Sequence, residues 1–179
     1  MKATGIVRRI DELGRVVIPK EIRRTMRIRE NDPLEIYTTN DGEVLFKKYS
    51  PLGELGVFAD QYAEVLHRNC GLPVVVCDRD HVIAVAGIPK KEMLERRVST
   101  ALEDHMEQRK SFANSNDGSR LQPVEGVGRF AVACAPIITS GNVCGSIMFL
   151  DERASTSAED AEVKLIAIAA DFLGKQMED

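Results

Sequence analysis

Between residues 5 and 49 the apolar positions come in short β-branched runs separated by charge, a pattern that predicts strands. Ile6-Val7 and Val16-Val17-Ile18 are strand material, with Asp11-Glu12-Leu13-Gly14 as the turn between them. Pro19 stops the second run and opens a short helix, where its fixed φ is welcome and its missing N–H costs nothing. On that helix Ile22 and Met26 are four apart and face a core, leaving Arg23, Arg24 and Arg27 to point outward. Residues 33–37 and 44–49 predict two more strands, and Thr39-Asn40-Asp41-Gly42 supplies the hairpin turn.

Ser50-Pro51 marks a boundary. Beyond it Leu52, Leu55, Ala59, Tyr62 and Leu66 recur at three-four spacing, so 51–70 is expected as a helix closed by Gly71 and Pro73. Residues 72–78 and 81–87 read as strands joined by a polar turn. Residues 90–109 carry Met93, Leu94, Val98, Leu102 and Met106 at helical spacing. Residues 114–119 are polar and are expected to form an exposed, mobile loop. Two more strands, 129–138 and 142–150, turn at Thr139-Ser140-Gly141. A last helix over 156–178 starts at a capping box of Thr156 and Glu159. Ala158, Ala161, Leu165, Ile168 and Phe172 form one seam on it, and Ile166, Ala169 and Leu173 widen that seam. So broad an apolar surface must be covered twice, by its own sheet and by something else.

These elements make an α+β chain of two domains, 1–50 and 51–179. The first buries too little apolar surface to be comfortable alone, which points to pairing with a second copy. In the second, the 51–70 and last helices are expected to meet those of another chain in a four-helix bundle. A homotetramer follows. No apolar run approaches the roughly 20 residues of a membrane span, and MKATG lacks a signal core, so the protein is expected in the cytoplasm. Cys70, Cys77, Cys134 and Cys144 form no C-x-x-C pair and lie in or beside apolar runs, as buried reduced thiols do. With only three scattered histidines, metal chemistry has no support.

Charge then separates the halves. Residues 1–30 hold nine Lys/Arg against four Asp/Glu, whereas 51–179 hold thirteen against twenty. Salt screens the acidic remainder beyond about 8 Å, so the local field decides the partner. Guanidinium groups grip phosphate or a guanine edge with two bonds. From charge alone a solvated basic face fits equally well.

The string TGIVRRIDELGRVVIPKEIRRTMRIRENDPLEIY closely resembles the DNA-binding domain of the AbrB-type transition-state regulators. That resemblance implies a swapped-hairpin β-barrel built by two chains together, binding double-stranded DNA. It places the DNA contacts on Arg8, Arg15, Arg23 and Arg24, with Arg9 standing where the family often has lysine. It further implies a nucleoid-associated activator and repressor of sporulation genes. The remaining chain resembles a GAF domain, most clearly in APIITSGNVCGSIMFL, an α/β sandwich with flanking helices. The resemblance puts a small-molecule pocket between the sheet and residues 88–128, with Phe130, Val132 and Cys134 on one strand face. No ligand or cofactor can be named from these residues, and a pure assembly role fits as well as an unidentified effector.

Two rival readings exist. Similar swapped-hairpin domains occur in toxin-neutralising antitoxins, although their tails are usually short and flexible. Some GAF-like domains reduce methionine sulfoxide through cysteines, which draws attention to Cys134 and Cys144. Those two lie among apolar residues with no adjacent base, so the chain is not expected to be an enzyme.

Overall fold

A computed structural model describes residues 4–115 and 117–178. Met1–Ala3, Asn116 and Asp179, which include the outer limits of both expected domains and one position of the expected polar loop, lie outside the described residues. The chain divides into two compact units, Met1–Tyr49 and Ser50–Asp179.

The first unit holds one short helix, α1 (Lys20–Thr25), and one antiparallel ladder, β1 (Leu34–Thr38) with β2 (Val44–Lys48). Gly42, at φ 80°, allows the tight return between them. Ile6-Val7 and Val16–Ile18 form no ladder, so one protomer does not close a barrel. Pro19 is the one buried residue among those described in this unit. The expected core face of α1 is absent: Ile22 is half-buried and Met26 is 57% exposed. A chain of this length cannot enclose its own apolar runs, and they stay at the surface.

The second unit opens with α2 (Pro51–Glu54) and α3 (Gly56–Cys70), so the expected single helix is broken at Leu55, between Gly53 and Gly56. Gly71 ends α3 in the left-handed conformation, at φ 74°. The sheet contains β3 (Val74–Asp78), β4 (Val82–Ala86), β5 (Phe112–Ala113), β6 (Phe130–Thr139) and β7 (Asn142–Asp151). Its order is β4-β3-β7-β6-β5, antiparallel throughout. α6 (Asp160–Gln176) and α3 pack on one face, over Val74, Val76, Ala135, Ile147 and Phe149. α4 (Lys90–Met93), α5 (Thr100–Glu107) and the 121–127 loop cover the other, over Val75, Val85, Met148 and Leu150.

Three expectations are corrected here. The 90–109 segment is two short helices, because Glu95 turns to φ 62° and the chain then runs along the edge of β4. Glu95 N donates to Val82 O at 2.9 Å, and Val98 N donates to Asp80 O at 3.0 Å. Covering an exposed strand edge outweighs continuing a helix. Ser99 restarts the helical path by accepting from Leu102 N at 3.1 Å.

The last helix begins four residues later than expected, with Glu162 Oε2 accepting from Glu159 N at 2.8 Å. Thr156 is used elsewhere, its hydroxyl donating to Asp151 Oδ2 at 2.8 Å. Nor is the 114–119 segment wholly exposed. Asn114 is buried, its amide donating to Ala154 O and Thr156 O, each at 2.8 Å.

The two apolar sides of α6 are now distinguished. Ile166, Ala169, Ala170, Leu173 and Gly174 are buried against the sheet, and a Cβ on Gly174 would lie 2.3 Å from Ile138 O. Ile168 and Phe172 face outward instead.

Candidate nucleic-acid interface

The basic segment is shaped around Asp11. Its Oδ1 accepts from Leu13 N at 3.0 Å and from Arg15 N at 2.8 Å, and its backbone N donates to Arg15 O at 3.0 Å. Oδ2 accepts from Arg15 Nε at 2.8 Å. The amide and then the guanidinium of Arg15 hold the Asp11 carboxyl below its usual range. Gly14, at φ 74°, completes the turn by donating to Asp11 O at 3.0 Å. A side chain that folds its own turn and also orients an arginine is a positioning residue. Asp at the head of a turn was the available signal.

Two groups of the expected DNA contacts result. Arg8, Arg9 and Arg15 are exposed around this turn, while Arg24 is exposed and Arg23 half-buried on α1. No hydrogen bond or ion pair links the two groups among the described residues. Apart from the solvent-facing Arg15–Asp11 pair, these five arginines carry no ion pair there either. Surface pairs of that kind are worth about 0–1 kcal/mol, so a phosphate competes easily.

The end of α1 is tied back to the hairpin. Lys48 Nζ donates to Arg27 O at 3.1 Å and lies 3.8 Å from Asp32 Oδ2, which accepts from Arg29 N at 2.8 Å. The segment that follows the helix carrying Arg23 and Arg24 is thereby tied to β2, although the helix itself has no core.

Apolar exposure accompanies the charge. Thirteen large apolar side chains of the first unit, from Ile6 to Tyr49, are at least 36% exposed, with Val7 at 85%. A surface that mixes arginines with this much uncovered apolar area calls for a protein partner as well as a polyanion.

In the second unit the expected pocket face does not have the expected make-up. A bulge between Ala131 and Ala133 places Val132 with the α3–α6 core, while Cys134 points to the opposite side. That opposite side is filled by Met93, Leu102, Met106 and Leu121, all buried. Cys134 is buried too, and burial pushes its thiol up to about 12; Cys77 is likewise pushed well above the usual thiol range. Outside, Phe58, Tyr62 and Phe172 gather between α3 and α6 with ring centroids 5.3–6.1 Å apart, flanked by the exposed Val57 and Ile168. Among the described residues no helix is long and apolar enough to cross a membrane.

Comparison with known proteins accounts for both parts. A family model described as stage V sporulation protein T C-terminal, transcription factor, matches residues 54–178. One described as antidote-toxin recognition MazE, bacterial antitoxin, matches residues 7–52. The transition state regulatory protein AbrB of Bacillus subtilis (strain 168) is 63% identical over 51 residues, 28% of this chain and 52% of AbrB. The second GAF domain of DevS from Mycobacterium smegmatis superposes with a TM-score of 0.52 at 13% identity, covering 68% of this chain and 91% of that one. An AbrB-like segment joined to a GAF-fold domain is the build of a two-part transcription regulator. Stage V sporulation protein T of Bacillus subtilis (strain 168) is 49% identical over 180 residues, 99% of each chain, and this chain belongs to its family of transcription factors.

Proposed function

We propose that the protein binds double-stranded DNA through Arg8, Arg9, Arg15, Arg23 and Arg24 and regulates sporulation genes, acting in the cytoplasm on the nucleoid. The observation that carries this reading is the combination in the first unit of five arginines, with only the Arg15–Asp11 ion pair among the described residues, and an uncovered apolar surface. A second copy covers the apolar runs, supplies the missing strand partners of Ile6-Val7 and Val16–Ile18, and doubles the arginine face with two-fold symmetry. The Phe58–Tyr62–Phe172 surface then joins such pairs into a tetramer.

The acidic second unit is repelled by phosphate and serves to array the DNA-binding pairs. The buried Met93, Leu102, Met106 and Leu121 favour assembly over metabolite sensing, because they occupy the space a ligand would take. The buried, protonated thiols of Cys77 and Cys134 argue against cysteine catalysis. The antitoxin reading accounts for residues 7–52 and leaves the larger unit unexplained.

Electrophoretic mobility shifts on random and selected duplexes, with sedimentation of the free protein, test this reading. Binding by a dimer or larger species, falling about a thousandfold or more between 50 and 200 mM salt, is expected for about ten phosphate contacts. A stable monomer, or no binding at 50 mM salt, overturns it.

A further inference from the structure

The two units follow one another with no spacer residue. Tyr49 N is still bonded within the first unit, to Pro33 O at 3.0 Å. The next residue, Ser50, already caps α2 in the second, accepting from Gly53 N at 3.1 Å. An ordinary cap requires no more than that bond. Ser50 does more: its hydroxyl donates to Asp78 Oδ2 at 3.0 Å, at the end of β3. Asp78 is itself fixed, since its Oδ1 accepts from Asp80 N at 2.8 Å and from His81 N at 2.7 Å. Two residues after Ser50, Leu52 is fully buried.

We propose that the Ser50–Asp78 clasp is a positioning device that sets the spacing at which paired DNA-binding units engage successive sites. This rests on the reading of the second unit as an arraying domain. With the clasp closed, the chain enters that unit at one fixed point on the sheet. With it open, α2 is a four-residue helix too short to hold itself, and the next firm anchor is Leu52. Two residues are then released in each protomer, about 7 Å of added reach, or about two base-pair steps. Slack of that size broadens the range of separations over which a second site is captured.

The test uses the full chain and duplexes carrying two copies of a sequence that the wild-type protein selects from a random pool. Their separation is varied one base pair at a time. Wild type is expected to favour a narrow set of separations by about tenfold. Ser50→Ala and Ser50→Gly are expected to flatten that preference to about two- to threefold, with single-copy affinity within about twofold of wild type. Ser50→Gly removes the hydroxyl while glycine remains a tolerated helix cap. Asp78→Asn keeps one oxygen for the Asp80 and His81 amides and turns an N–H toward the Ser50 oxygen, which accepts it, so this variant is expected to keep the wild-type profile. Ser50→Thr keeps the hydroxyl and is expected to restore the wild-type profile. If Ser50→Ala and Ser50→Gly both keep the wild-type profile, the clasp is refuted and the arraying role stands. A flat profile in the wild type refutes both.

Discussion

Leu52 Cδ2 lies 2.8 Å from where a Cβ on Gly145 would stand, so the first buried side chain of the second unit rests on bare backbone. That same Cβ would come within 2.0 Å of Cys77 O, and a strand carbonyl cannot retreat without breaking the β3–β7 ladder. Gly145→Ala is therefore expected to cost about 3 kcal/mol, at the upper end of overpacking effects. Urea unfolding of the full chain measures it; a change below about 0.5 kcal/mol would mean the strands are not so close.

Asn114 holds the approach to α6. Its amide donates to two carbonyls, its own N donates to Val132 O at 2.9 Å, and its O accepts from Ala158 N at 2.8 Å. Asn114→Ala leaves two acceptors without a donor and is expected to cost about 2–4 kcal/mol. Asn114→Asp is expected to be worse at pH 7, because a carboxylate then faces two carbonyls. Its folded-state pKa is raised, so the penalty is present at neutral pH and shrinks as the pH falls through that value. Unfolding midpoints at pH 7 and pH 5 decide the matter.

Single replacement of Arg8, Arg15, Arg23 or Arg24 by Ala is expected to weaken DNA binding by about 1–3 kcal/mol where the contact is to a base edge. Where the contact is to phosphate, the salt slope falls by about one instead. Circular dichroism should stay unchanged, since these side chains hold no core. Asp11→Ala is expected to resemble Arg15→Ala, because it releases the turn that aims Arg15.

Thiol labelling of the native protein separates a regulator from a cysteine enzyme. At pH 8 a thiol with a pKa of about 12 is thiolate in about one molecule in ten thousand. Cys77 and Cys134 are expected to stay unlabelled until the protein unfolds. Cys70 and Cys144, half-buried and also raised by burial, are expected to label slowly. Fast modification of Cys134 would revive a catalytic role.

The outer surface of α3 and α6 is expected to govern assembly rather than folding. Ile168→Glu or Phe172→Glu puts a charge on the outward face of α6, where the two side chains are 62% and 42% exposed. Sedimentation should then show a dimer in place of the tetramer proposed for wild type, with little change in melting temperature. An unchanged tetramer would move that interface elsewhere.

Much of the chain could be read from neighbours along the sequence. The β1–β2 hairpin follows from Asp41-Gly42, and Gly71 ends α3 where the apolar spacing stops. The β6–β7 pair turns at Ser140-Gly141, both at positive φ, as the short polar break implies. What escaped was committed to distant partners. Nothing local says that residues 95–98 would bond along β4, or that Thr156 would serve Asp151 and free Glu159 to start α6. The two-residue strand β5 has no periodicity to detect.

By itself the amino-acid order determined the separation of a basic segment from an acidic domain, most of the longer elements of the second unit, and the arginines available to a polyanion. Those properties depend on side-chain chemistry and short-range spacing, which survive in any compact arrangement. Only the tertiary structure decided that Val132 and Cys134 part to opposite faces, that Asn114 is an anchor, and that Ser50 is clasped to Asp78. Each of these turns on a backbone group or carboxylate brought near by folding. A bond between residues 28 positions apart leaves no mark in the spacing of either one's neighbours.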